Sequence, residues 1–429
     1  MTIHNNLAPT PPMGWNSYDC YGNSVTEEEV KANADYMADN LAKHGWEYIV
    51  VDYYWYCPPD IARRKPGPDE YLIDEYGRLI PHPDKFPSAA NGQGFKPLAD
   101  YVHSKGLKFG IHIMRGIPRE AVKKNLPIAN SSYCAADIAN EESICNWSEV
   151  MYGINMSKPG AQDYYDSIME LYAEWGVDFI KADDFASPYY PDEVAALSKA
   201  RDKFGENIVL SLSPGGKADV KYAEHMKSHC EMWRVTEDFW DEWDQLKAHF
   251  EVCRKWAPHI GAGHWPDLDM LPIGRIAIRQ NPKIGPERFS RFTKDEHYTL
   301  MTLWCIFRSP LMIGGDLPSM DDFTLSLITN EEVLRINQKS TNNREIFCRG
   351  NNIAWSADDT DSDDKYVALF NVGETPSRIN VEFKEIGLNG KQCTVRDLWA
   401  KKNLGTFKDR ITSSINPHGA CLYRISPKT

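Results

Sequence analysis

Two pairs of charged residues carry the chemistry this sequence suggests: Lys181 with Asp183, and Arg234 with Asp238. Each pair ends a short apolar run, Phe179-Ile-Lys-Ala-Asp-Asp-Phe185 and Met232-Trp-Arg-Val-Thr-Glu-Asp238. Side chains two apart on a strand share a face. Lys181 and Asp183 therefore point the same way, and Arg234, Thr236 and Asp238 have matching parity if their strand runs that far. Asp52, Asp267 and Asp269 lie at or near the ends of other apolar runs. Cations and carboxylates aimed into one buried space are costly without a purpose. A glycosidase needs such a set: one carboxylate attacks or activates water, and another protonates the leaving oxygen. A basic neighbour keeps the first ionised, while burial or a second carboxylate raises the other. With Lys181 beside it, Asp183 is the better nucleophile and Asp238 the acid/base. Trp15 or Trp55 is expected against the sugar. On these spacings alone, another barrel enzyme or a non-catalytic sugar-binding barrel stays open. A metal enzyme would have to draw on His112, His264 and the aspartates, and no H-E-x-x-H spacing occurs.

The elements that must position these residues alternate in type. Apolar runs at Met13–Tyr18, Tyr48–Trp55, Lys108–Met114, Phe179–Phe185, Ile208–Ser213, Met232–Asp238, Gly261–Met270 and Ser309–Gly314 read as strands. Amphipathic stretches such as Glu27–His44, Pro159–Trp175 and Asp192–Lys203 read as helices. Eight strand–helix units in about 320 residues predict a (β/α)8 barrel over residues 1–333, with its site at the C-terminal strand ends. The long connection from Arg115 to Met156 is expected to shape the mouth.

Over 334–429 the pattern changes to short β-rich segments without long helices, at Asn352–Ser356, Lys365–Asn371, Arg378–Phe383, Gln392–Leu398 and Ala420–Ile425. This predicts a C-terminal antiparallel β-sandwich. The acidic cluster Asp358–Asp364 lacks the glycine and terminal glutamate of a calcium loop and reads as a solvated hairpin tip.

Composition narrows the partners. A net charge of −13 with no basic cluster argues against nucleic acid and anionic membrane. No apolar run approaches the roughly 20 residues that cross a bilayer. The opening Met-Thr-Ile-His-Asn-Asn-Leu-Ala-Pro-Thr has no secretory pattern, and a cytoplasmic location is expected. Ten scattered cysteines without a C-x-x-C pair argue against a zinc site and fit reduced thiols. The sequence is compatible with a homo-oligomer and sets no oligomeric state.

The motifs sharpen this reading. Pro11-Pro-Met-Gly-Trp-Asn-Ser-Tyr18 resembles the opening signature of glycoside hydrolase family 27, the α-galactosidase and α-N-acetylgalactosaminidase family. The resemblance continues in order through Asp52-Tyr-Tyr-Trp55, Trp175–Asp183, Trp233–Asp238, Trp265–Leu271, Ser309–Leu317 and Val395–Trp399. It implies a retaining exo-glycosidase that uses no cofactor and takes a carbohydrate with a galactose-like non-reducing end. Asp183 matches the nucleophile and Asp238 the acid/base. Trp15, Asp52, Lys181, Arg234 and Asp269 match sugar-contacting positions.

Some positions depart from the family pattern. Tyr53 stands where a second aspartate is usual, the one that grips sugar hydroxyls including that on galactose's exocyclic carbon. His112 replaces a usual tyrosine, and Phe185 a cysteine. Leu210-Ser-Leu-Ser-Pro-Gly-Gly216 replaces a Cys-Glu-Trp stretch, and the small Ser213 and Gly216 resemble the pattern that admits an N-acetyl group. An α-galactoside is the family default. An α-N-acetylgalactosaminide would use the space at Ser213 and Gly216. A β-L-arabinopyranoside, with galactose's ring configuration but no exocyclic carbon, would suit Tyr53.

Overall fold

The structure, a computed structural model, describes residues 7–63, 66–67, 70–186, 188–213, 218–279 and 285–428. Among them, eight parallel strands run in chain order: β1 Met13–Asn16, β2 Tyr48–Val51, β3 Lys108–Met114, β4 Phe179–Asp183, β5 Val209–Ser213, β6 Met232–Arg234, β7 Trp265–Asp267 and β8 Leu311–Ile313. From β1 to β7 each strand pairs with the next in the chain, and β8 returns to β1, with Met13 opposite Leu311. A parallel bridge from Leu271, just beyond β7, to Ile313 of β8 closes the barrel.

Side-chain parity divides the strands. Tyr48, Val50, Phe179, Val209, Met232, Trp265 and Met312 fill the lumen as a separate apolar cluster. Their neighbours, including Trp15, Ile49, Val51, Ile111, Ile180 and Leu212, pack outward in the much larger cluster shared with the helices. Gly14 lets β1 lie close on β2, because a Cβ there would stand 2.6 Å from the Cβ and carbonyl oxygen of Tyr48.

The expected helix Glu27–His44 is built in three pieces. A capping box of Thr26 and Glu29 starts an α-helix at Glu27–Tyr36. A π-turn over Met37–Leu41 and a 3-10 turn over Ala42–His44 follow, and Gly45 ends the run in the left-handed region at φ 95°. The helices Ala161–Glu174 and Pro191–Phe204 fall where the sequence pattern puts them.

The last helix before the second domain, Glu331–Lys339, runs directly into β9 at Ser340. Strands β9 Ser340–Arg349, β10 Asn352–Asp359, β11 Lys365–Asn371, β12 Ser377–Glu382, β13 Gln392–Asp397, β14 Lys402–Lys408, β15 Arg410–Ile415 and β16 Ala420–Pro427 follow. They form a six-stranded antiparallel sheet, β9-β10-β11-β16-β13-β14, and a two-stranded sheet, β12-β15. Val367, Leu369, Ile379, Val381, Val395 and Ile411 fill the space between the sheets. The opposite face of the large sheet joins the barrel's core: Trp355 meets Phe307 edge-on, and Phe370 meets Phe250. At the same boundary the His418 ring stacks on Trp243 at 3.8 Å, and its Nδ1 lies 2.7 Å from Glu296.

The acidic cluster is not wholly a solvated tip. Asp359 is buried and takes a two-point ion pair from Arg335, at 2.9 and 3.0 Å, which ties the hairpin to the preceding helix. No two of the ten cysteines are joined by a disulfide.

Candidate active site

At the upper end of the lumen the inward positions change from apolar to polar. Asn16, Lys181, Ser213, Arg234, Asp267 and Asp269 line a cavity floored by Val50, Phe179, Met232 and Met312. Parity puts them there: in β4, Phe179 is floor, Lys181 is wall and Asp183 is rim.

Asp183 ends β4 with both carboxylate oxygens engaged. Oδ1 accepts the Asp184 amide at 2.8 Å, and Oδ2 stands 3.1 Å from His112 Nε2. Lys181 does not pair directly with Asp183, as its place beside it suggested. Its Nζ donates to Asp52 Oδ2 at 2.8 Å, and Asn16 donates to the same oxygen at 2.7 Å. Burial alone would raise Asp52, but Lys181, His112 and the Tyr53 amide together outweigh it and hold the carboxyl well below its ordinary range. The direct neighbour of Asp183 is thus a histidine, and the lysine acts at one remove through Asp52.

Strand β6 ends at Arg234, so Asp238 reaches the mouth from the turn beyond it and not by strand parity. Arg234 supplies the link, donating to Asp238 Oδ1 at 2.8 Å and to Asp269 Oδ1 at 3.3 Å. Asp269 Oδ2 accepts the Phe239 amide at 2.8 Å, which pins the turn carrying Asp238. The charges of Asp238, Asp52 and Asp183 all reach the Tyr18 hydroxyl, whose ionisation burial first and these carboxylates next push far up. The Asp183 and Asp238 side chains remain 15% and 33% exposed, so both stay open to a ligand.

Several expected residues fall elsewhere. Trp15 is fully buried and points away from the lumen, with its indole N–H on the Gly315 carbonyl at 2.9 Å. Trp55 is also fully buried, bonded to the His112 carbonyl at 2.6 Å and packed edge-on against Phe95 and Trp175. Neither has a face for a sugar, because each occupies the strand–helix layer. Gly216 lies outside the described residues. Ser213 stands opposite Asp183 in the β4–β5 register. The Ser213 Oγ and His112 Nδ1 are buried with no hydrogen-bond partner among the described residues. Buried polar atoms of that kind call for a partner, which sugar hydroxyls can supply.

Tyr53 forms a wall. Its ring stacks on Tyr54 at 3.6 Å between centroids, and meets His112 at 5.1 Å and Trp147 at 5.4 Å edge-on. Trp147 comes from the long Arg115–Met156 connection, so that segment does reach the mouth. Sequence reasoning missed Trp147, Asn16, Tyr18 and Asp19. Asn16 was legible by parity, being two residues after Gly14. Asp19 is buried beside Gly314, with Oδ2 unpartnered among the described residues. Burial and then the Asp269 charge push its carboxyl well above the ordinary range. Burial and Asp269 likewise push Asp267 up to about 7.

The backbone carries strain at the same rim. Tyr54, Asp184 and Asp269 all have left-handed backbones, at φ 63°, 66° and 80°. Non-glycine residues held this way cluster at functional sites.

Family comparison now bears on this geometry. The model of the domain described as alpha galactosidase A matches residues 10–122 and 146–339, and that of the alpha galactosidase C-terminal beta sandwich domain matches 349–425. The chain belongs to glycoside hydrolase family 27. A family 27 β-L-arabinopyranosidase from Geobacillus stearothermophilus is 49% identical, with a TM-score of 0.97 over 100% of this chain and 99% of that one. A Bacillus halodurans protein, solved as a candidate α-N-acetylgalactosaminidase, is 47% identical, with a TM-score of 0.88 over 98% of each chain. An α-galactosidase from Oryza sativa is 28% identical over 99% of this chain and 87% of its own. This family 27 member is therefore a glycosidase for galactose-type sugars. The matched ranges leave out residues 123–145, part of the long connection that reaches the mouth.

Proposed function

We propose that this enzyme is a retaining exo-glycosidase with Asp183 as nucleophile and Asp238 as acid/base, and that its preferred sugar is β-L-arabinopyranose. In the first step Asp183 attacks the anomeric carbon while Asp238 gives its proton to the leaving oxygen. In the second, Asp238 takes a proton from water as that water displaces Asp183. Asp52, Lys181 and Arg234 bind ring hydroxyls, and the unpartnered Ser213 Oγ and His112 Nδ1 take others.

The observation that carries the sugar preference is Tyr53. Where the family usually puts a carboxylate for the exocyclic hydroxyl, this chain has an aromatic ring packed on Tyr54, His112 and Trp147. A pentopyranose has no exocyclic hydroxyl to lose, and a hexose would leave one facing an apolar ring. Read without tertiary structure, the α-galactoside ranks first. The Tyr53 wall and the 49% identity to an arabinopyranosidase support the reverse order.

Aryl glycosides test both parts. The β-L-arabinopyranoside should exceed the α-D-galactoside and the α-N-acetylgalactosaminide in kcat/KM, and a higher value on either hexoside would reject the preference. Asp183→Asn should bind sugar without turnover, and Asp238→Asn should lose about 10²–10⁴-fold, least with the best leaving groups. Unchanged rates in either variant would remove that residue from the mechanism.

A further inference from the structure

Asp184 follows the proposed nucleophile and takes no part in the mechanism above, yet it is one of the most constrained residues in the molecule. Its backbone is left-handed at φ 66°, a conformation that costs an L-residue energy and persists only when its surroundings impose it. In that setting the Asp184 N–H donates to Asp183 Oδ1 at 2.8 Å.

Arg115 imposes it. The Arg115 Nε donates to the Asp184 carbonyl at 3.0 Å and to its Oδ2 at 3.1 Å, and a second guanidinium nitrogen lies 3.0 Å from Oδ2. The Arg115 amide donates to the Asp183 carbonyl at 3.0 Å. Arg115 is thus bonded to both residues of the Asp183–Asp184 pair. Arg115 is itself held: it donates to Glu193 Oε1 at 2.6 Å and to Ser143 Oγ at 3.1 Å, and its guanidinium lies 3.6 Å from the Tyr190 ring centre. Glu193 accepts from the Tyr165 hydroxyl at 2.7 Å and from the Ile154 amide at 3.2 Å.

Arg115, Asp184 and Glu193 are nearly free of solvent, at 1%, 4% and 4% exposure. A buried charge cluster of this kind contributes little net stability, since apolar residues of similar volume often serve as well. Its value lies in fixing geometry, and the geometry it fixes here is the peptide beside Asp183.

We propose that Asp184 and Arg115 are positioning residues for the nucleophile, clamping the Asp183–Asp184 peptide so that its amide sets the rotation of the Asp183 carboxylate. This rests on Asp183 being the nucleophile. It predicts a loss in the chemical step and not in sugar binding, because the clamp lies behind the carboxylate. Asp184→Asn is the first test, since asparagine tolerates the left-handed backbone but cannot pair with Arg115 as an anion. With an aryl β-L-arabinopyranoside, or whichever aryl glycoside proves best, kcat should fall about 10–100-fold with KM within about twofold. Arg115→Lys, which keeps the charge but loses the fork, should behave alike.

Wild-type kcat in Asp184→Asn, or a loss confined to KM, would overturn the proposal. If Asp184→Asn does not fold, Arg115→Lys and Glu193→Gln are read by the same criteria. Failure of all three to fold would also overturn it, by making the cluster structural. Asp183→Asn in the same assay separates the two claims. Turnover in that variant defeats the nucleophile assignment, whereas an inactive Asp183→Asn beside a fully active Asp184→Asn defeats only the clamp.

Discussion

Arg234 donates to Asp238 Oδ1 at 2.8 Å, an ion pair that joins the end of β6 to the turn beyond it. Since Arg234 also reaches Asp269, a single guanidinium orients the Asp238 carboxyl, the proposed acid/base, and the residue that pins its turn. A lysine has the charge but not the planar fork. Arg234→Lys should lower kcat/KM about 10–100-fold, from about 1.5–3 kcal/mol for a charged hydrogen bond. Steady-state rates with an aryl glycoside check this, and an unaltered kcat/KM would show that the bridge is dispensable.

Trp15 separates core from contact. Its ring lies in the strand–helix layer with no exposure. Trp15→Phe should therefore cost stability, about 0.5–3 kcal/mol, while leaving KM within twofold. Denaturant melts beside KM values decide it. A KM raised tenfold at unchanged stability would return Trp15 to the sugar site.

Tyr53 is the proposed lever on specificity. Tyr53→Asp restores the carboxylate usual at this position and opens the wall against Trp147. The ratio of kcat/KM for the α-galactoside over the β-L-arabinopyranoside should rise by about tenfold or more, in line with about 1–3 kcal/mol for a specificity contact. An unchanged ratio would place the discrimination elsewhere.

Asp267 links the site to pH. Burial and Asp269 push its carboxyl up to about 7, from an ordinary 3.8. Between those values the folded protein binds more protons at this group than the unfolded chain does, so its contribution to stability falls as pH rises. Asp267→Asn removes that loss. Its Tm should exceed the wild-type value most at pH 8 and converge with it near pH 4. A Tm difference independent of pH would rule out this titration as the source.

Much of the architecture was legible in the chain. The eight apolar runs carry the inward–outward alternation of a barrel, and the switch to closely spaced β segments marks the sandwich. Three strands of the sandwich, β9, β14 and β15, escaped notice. Strand β9 is mostly polar and only one of its positions is buried, β14 is mostly exposed, and β15 is polar at most of its positions, so they carry little apolar signal.

Residue type and spacing alone determined that a lysine, an arginine and several aspartates would crowd one end of the barrel, because strand parity and chain direction are local properties. Tertiary structure decided which charges meet. Lys181 could pair with Asp183 or Asp52, and only the curvature between β2 and β4 selects Asp52. Trp15 and Asn16 are adjacent on a strand and so face opposite ways by local parity, and closure of the barrel decides which of the two faces becomes the lumen. The same closure brings Trp147 against Tyr53 and Arg115 behind Asp183, contacts between segments whose separation along the chain leaves no trace in local pattern.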